Sequence, residues 1–155
     1  MENFNLVLHY IHNLLRWAVF FTGIWAIYRS YMGVNKKRAW SGKDENAGFW
    51  FIMSCHTQLL TGLFLYFYSG YYNIFSNMAE SMKNAVTRFW GIEHITGMII
   101  AIAIIQLGRI VSKKATTDLL KHKKALLWYS IGVLLIIISI PWPWREAGRA
   151  LFPAF

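Results

Sequence analysis

The stretch 89-FWGIEHITGMIIAIAIIQLGRIV-111 decides the fold. As a helix rising about 1.5 Å per residue it is long enough to cross the roughly 30 Å hydrocarbon core of a bilayer. It shows none of the in-out alternation of a barrel strand. Three more apolar runs of comparable length flank it, at about 4–32, 47–72 and 117–140. The last is introduced by Thr116-Thr117-Asp118, a helix cap, and stopped by Pro141-Trp142-Pro143-Trp144. Tyr66, Tyr68, Tyr71 and Tyr72 close the second run as an interfacial belt. Between the second and third runs, Ile74, Phe75, Met78, Met82 and Val86 recur at helical spacing, which predicts a short interfacial helix over 74–86.

Composition agrees with lipid as the solvent. The chain is 56% hydrophobic and only 15% charged, against roughly 25% charged in soluble domains. At 155 residues a soluble core has too little interior to hide that apolar surface. The expected fold is all-α: a single transmembrane domain over 1–155, built as an up-down four-helix bundle. The first run lacks a basic leader and a small-residue cleavage site, so it reads as a retained helix.

The net charge of +9 would suit nucleic acid, but its placement excludes that reading. Eleven of the sixteen Lys and Arg residues fall between apolar runs, in Arg29–Lys43 and Arg109–Lys124. That is the positive-inside pattern, and it puts both loops in the cytoplasm and both termini on the other side. The lone cysteine, Cys55, lies inside an apolar run, and no Cys/His zinc spacing occurs. Soluble-enzyme motifs are missing as well: the sequence has no phosphate loop, nucleophile elbow or metalloprotease helix.

Ionisable residues inside a bilayer are costly and mark function by default. The runs hold His12, Arg16, His56 and Glu93-His94, with His9 and His122 nearer helix ends. Measured from the middle of their runs, His12 and His94 both lie ~9 Å toward the non-cytoplasmic side. Two imidazoles at one depth on diagonal helices can ligate a haem iron from opposite faces. His56 and His122 form a second candidate pair whose depths disagree by ~10 Å. Arg16 lies one turn from His12 on the same face, placed for a haem propionate or for Glu93. Arg88 and Arg109 stand near the two ends of the third run, also in reach of propionates. Gly62, Gly91 and Gly97 would admit a flat macrocycle, and they would equally serve ordinary helix packing. Alternatives stand beside these readings: His9 as an interfacial residue, His122 as part of a solvated basic face, and Arg16–Glu93 as structural glue.

His12-Asn13-Leu14-Leu15-Arg16-Trp17, His56-Thr57-Gln58-Leu59-Leu60-Thr61-Gly62-Leu63 and Arg88-Phe89-Trp90-Gly91-Ile92-Glu93-His94 resemble the small bacterial four-helix membrane proteins labelled cytochrome B-like. Gly108-Arg109, Ser112-Lys113-Lys114-Ala115, His122-Lys123-Lys124 and Ile140-Pro141-Trp142-Pro143 extend the match over nearly the whole chain. A looser similarity is to the bacterial cytochrome b561 and superoxide-oxidase type, which holds two b haems between four helices. Here a single histidine near the fourth helix departs from that pattern. The resemblance implies haem b in a multi-pass protein of the bacterial inner membrane; the mismatched depths of His56 and His122 favour one haem over two. It would carry electrons between a quinone or quinol and a redox partner, as an electron-transfer oxidoreductase component of a respiratory chain. The competing expectation is a haem-free, non-catalytic transmembrane subunit of a larger respiratory or envelope complex. A small transporter ranks third, because the chain lacks an inverted repeat and paired broken helices.

Overall fold

A computed structural model describes residues 2–152. They are all-helical, with no strand among the described residues. Positions 1 and 153–155 of the expected single domain lie outside the described residues. Four long helices account for most of the chain: α1 (Glu2–Asn35), α2 (Gly42–Tyr68), α3 (Ala85–Lys113) and α4 (Asp118–Ser139). α3 and α4 pack most extensively, then α1 against α2 and α1 against α4, while α2 meets α3 more sparsely. α1 and α3 therefore sit diagonally, and the loose α2–α3 seam leaves room for a cavity.

Three of these helices, α2, α3 and α4, are long and apolar enough to cross a membrane. Their outward faces suit lipid: Phe64 is 60% exposed, Leu127 58% and Leu134 55%. Side chains with no water-seeking group gain nothing from such exposure in water, so the outward face points to a hydrocarbon surround. α1 carries Asn5, His9, His12, Asn13 and Arg16 in its first half, yet shows the same apolar exterior further on, at Phe21 and Ile24.

Local chemistry sets the helix ends. At the start of α2, Ser41 donates both its N–H (2.9 Å) and its hydroxyl (2.5 Å) to Asp44 Oδ2. Asp44 is buried and pairs with Arg29 of α1 at 2.8 Å, so one carboxylate caps α2 and ties it to α1. Thr117 caps α4 by accepting Leu120 N–H at 3.3 Å, as the Thr116-Thr117-Asp118 pattern predicts. α1 runs three residues past the expected end at Met32, through Gly33 to Asn35. Gly33 reads as a loop residue in sequence, but it is buried in the last turns of α1 against the ring of His122. Lys37, with φ of 46°, makes the left-handed turn that ends this corner.

The segment after α2 is not one interfacial helix over 74–86. Gly70 turns the chain at φ 73°, Tyr71–Asn77 is a 3-10 helix, and Met78–Ser81 is a single α turn. Only Ile74 of the apolar set is buried; one anchoring residue does not sustain a continuous amphipathic helix. α3 then begins four residues before the expected start, with Asn84 accepting Thr87 N–H at 2.9 Å. Phe89–Glu93 winds as one π turn, closed by His94 N–H on Phe89 O, before α-helix resumes at His94.

A histidine-lined cavity between the helices

A cavity of about 710 Å³ opens between α1, α2, α3 and the end of α4. That volume is in the range of sites for drug-sized or cofactor-sized molecules. Its wall is largely apolar, with Leu59, Leu63, Met98, Ile102 and Ile136, and its polar groups include His9, His12, Gln58, His94, Arg16 and Arg149. The π turn sets one side of it. Tyr66 of α2 donates its hydroxyl to Gly91 O at 3.0 Å, and the rings of Phe89 and Trp90 lie 5.7 and 5.6 Å from that of His94. Single π turns tend to occur where a helix is shaped for a site.

His12 and His94 are neighbours in the cavity, ring centroids 6.5 Å apart and planes at 74°. Imidazoles on opposite sides of one metal, with bonds of about 2 Å and ring radii of about 1.1 Å, have centroids about 6 Å apart. Rotation about the metal–nitrogen axis preserves both bonds, so the steep interplanar angle is compatible with that arrangement. His94 Nδ1–H donates to Ser139 O of α4 at 2.8 Å, which leaves Nε2 as the free lone pair. His12 Nδ1 lies 3.2 Å from Thr61 Oγ1, and its Nε2 lies 3.1 Å from Gln58 Nε2. The Gln58 amide also donates to His12 O at 2.9 Å, which fixes its nitrogen toward His12 and makes His12 Nε2 the acceptor. Both rings are thus held as neutral Nδ1–H tautomers, the form in which imidazole ligates a metal. A metal at His12 Nε2 would have to take the place of the Gln58 N–H. Gln58 Oε1 is buried with no hydrogen-bond partner, a sign that this polar group has room for another neighbour. The residues fit a macrocycle held between two imidazoles. Among the described residues no group of three or more His, Cys, Asp or Glu forms a protein-only metal site.

The other sequence candidates fall elsewhere. His56 is exposed on the outer face of α2, and His122 is fully buried at the opposite end of the molecule from the cavity, 4.8 Å from the Trp40 ring. Taking the middles of α2 and α4 from their ends, the two lie ~11 Å apart along the helix axes. The structure does not bring them together. Arg88 pairs with Glu93 at 2.6 Å and donates to Met82 O, while Arg109 lies 5.7 Å over Phe49. Neither reaches the cavity. Arg16 does, but it does not meet Glu93: it donates to Asn13 Oδ1 at 2.8 Å and to Leu151 O. Of the three glycines, Gly62 lines the cavity beside His12, whereas Gly91 faces Ile74 and Gly97 faces Ser139, both in helix packing. Cys55 is a buried thiol in the cavity wall.

Sequence reading missed Gln58 as a partner of His12 and missed the C-terminal segment altogether. After α4 the chain turns back over the cavity mouth, with Arg149 N–H on Pro141 O at 3.0 Å and Trp142 stacked on Trp144 at 5.0 Å. Asn13 donates to Ala150 O at 3.2 Å, Trp17 donates to Leu151 O at 3.3 Å, and Phe152 stacks on Trp17 at 4.9 Å. Arg149 lies 4.6 Å over the Trp90 ring and donates to the Tyr71 hydroxyl at 3.0 Å. Pro141-Trp142-Pro143-Trp144 marked only the end of a helix in sequence; nothing in the spacing announced a strap.

No family model, curated protein or solved structure matches the chain. The functional reading therefore rests on the residues themselves.

Proposed function

We propose that this chain is a b-type cytochrome of the bacterial inner membrane, crossing it four times with both termini on the non-cytoplasmic side. One haem is held in the cavity by His12 and His94. The protein passes electrons between a quinol or quinone and a redox partner in a respiratory chain. The observation that carries this reading is the pair of neutral imidazoles with centroids 6.5 Å apart in a largely apolar cavity. When bound, haem supplies one-electron redox chemistry.

The chain supplies the rest. Ser139 O and Thr61 orient the two rings, the apolar wall excludes water, and Arg16 and Arg149 bring positive charge to the rim, which favours the reduced state. α1 serves as the fourth crossing, supported by its length and by its packing against α2 and α4. The two basic connections support the orientation. One haem is preferred to two because His56 and His122 share neither height nor face.

The test is a reduced-minus-oxidised absorbance spectrum of the purified protein with haem quantitation. The expected result is b-type bands at one haem per chain. Two haems per chain would require His56 or His122 as ligands and overturn the single-site assignment. Absence of haem after expression with ample haem supply would leave the haem-free subunit reading, with co-purification in fixed ratio with a larger complex as its signature.

A further inference from the structure

The cavity is electrically one-sided. Among the described residues no Asp or Glu lines it, whereas Arg16 and Arg149 both do. Neither arginine pairs with a carboxylate among the described residues. Arg16 is half-buried, its Nε is buried with no partner, and its NH2 group reaches only neutral acceptors, Asn13 Oδ1 and Leu151 O. Arg149 has a neutral hydroxyl and an aromatic face. A guanidinium in an apolar surround is stabilised most by a carboxylate, which its fork of N–H donors matches in shape and charge. Two such groups without a counter-ion among the described residues, at the mouth of an apolar cavity, describe a receptor for a negative charge.

We propose that Arg16 of α1 and Arg149 of the C-terminal strap anchor the carboxylate groups of an amphipathic ligand whose apolar body fills the cavity. This rests on the cytochrome reading when the carboxylates are haem propionates. It keeps Arg16 as a propionate partner and adds Arg149, in place of Arg88 and Arg109. The same chemistry is offered by the head of a long-chain fatty acid. The strap is then part of the binding site: it supplies one of the two cations, and its Leu151 carbonyl holds the other until a carboxylate takes over that N–H.

The experiment separates the anchor from iron ligation. Full-length protein prepared without haem, in detergent micelles, is titrated with metal-free protoporphyrin IX and with its dimethyl ester, with tryptophan quenching as the readout. The free acid is expected to bind at least tenfold more tightly than the ester. That ratio is expected to fall to about twofold or less in the Arg16→Gln/Arg149→Gln double variant. Helical circular dichroism and a monodisperse elution profile establish that the variant is folded, and Arg88→Gln serves as a control that keeps the wild-type ratio. Equal binding of acid and ester to the wild type, or an undiminished ratio in the double variant, overturns the anchor while leaving His12–His94 ligation standing. If neither porphyrin binds, the haem reading fails, and oleate against methyl oleate decides the anchor. Preference for oleate that is lost in the double variant upholds the anchor with a lipid as its source. No preference overturns it.

Discussion

Haem content is expected to fall at least tenfold in His94→Ala and in His12→Ala, and to stay at the wild-type level in His56→Ala. Each of the first two substitutions would remove one of the two proposed iron ligands. Even loss of a group that merely orients a ligand typically costs 10–100-fold in metal affinity. The two rings are not equivalent. His94 is oriented by a backbone carbonyl, Ser139 O, so α4 itself holds the ring. His12 is oriented by the Thr61 hydroxyl and shares its other nitrogen with Gln58. The weaker support at His12 gives a second, smaller expectation: Thr61→Val lowers haem content without abolishing it, because Nε2 remains while its orienting partner goes. His56 is exposed on the outside of α2 and contributes to neither ring. Haem is measured per chain, with elution profile and circular dichroism confirming the fold. Full retention of haem in both His12→Ala and His94→Ala would exclude this ligand pair.

How much of this was legible in the sequence depends on what each residue signals. The apolar runs are a continuous signal, and they give the all-helical architecture and three helices fit to cross a membrane. Depth, which needs only the rise per residue, pairs His12 with His94, and their ring centroids lie 6.5 Å apart. Depth is only as good as the helix ends. α2 runs from Gly42 to Tyr68, not 47–72, so its middle moves about four residues toward the N-terminus, or ~6 Å. That shift carries Gln58 from the inner half of the helix to ~4.5 Å on the outer side of its middle, still ~5 Å short of His12; the length of the Gln58 side chain, which a count of depth leaves out, closes the gap. The ends moved because Ser41 and Asp44 cap α2 ahead of its apolar run, and because Gly70 turns the chain before the tyrosines are exhausted. Helix direction was legible; helix rotation was not. Arg16 and Glu93 lie at compatible depths, yet Glu93 turns toward Arg88 and Arg16 toward the returning tail. A tail that folds back has no period, so its carbonyls and Arg149 carried no advance sign.

Gly33 and His122 offer the sharpest test of the opposite end of the molecule, because two known effects predict opposite signs there. Gly33 lies in the last turns of α1, where replacing Gly by Ala ordinarily stabilises a helix by about 1 kcal/mol. A methyl group at this position, however, would overlap three atoms of the His122 ring. That ring is fully buried and packed against Trp40, so it has no free space into which to turn. Overpacking of this kind costs about 1–3 kcal/mol. The overlap is expected to win, so Gly33→Ala lowers stability by about 1–2 kcal/mol, read as a lower unfolding midpoint in detergent. Against a His122→Ala background the obstacle is gone, and the same substitution is expected to raise stability by up to about 1 kcal/mol. The double-mutant cycle isolates that change of sign as a coupling between the two positions. A Gly33→Ala protein more stable than the wild type would mean that the ring does not pack on α1 as described. Haem content unchanged in His122→Ala would separate this packing role from ligation, since a histidine whose surroundings are a glycine, a tryptophan and the turn at Arg38–Ala39 locks the corner between α1 and α4 without touching the cavity.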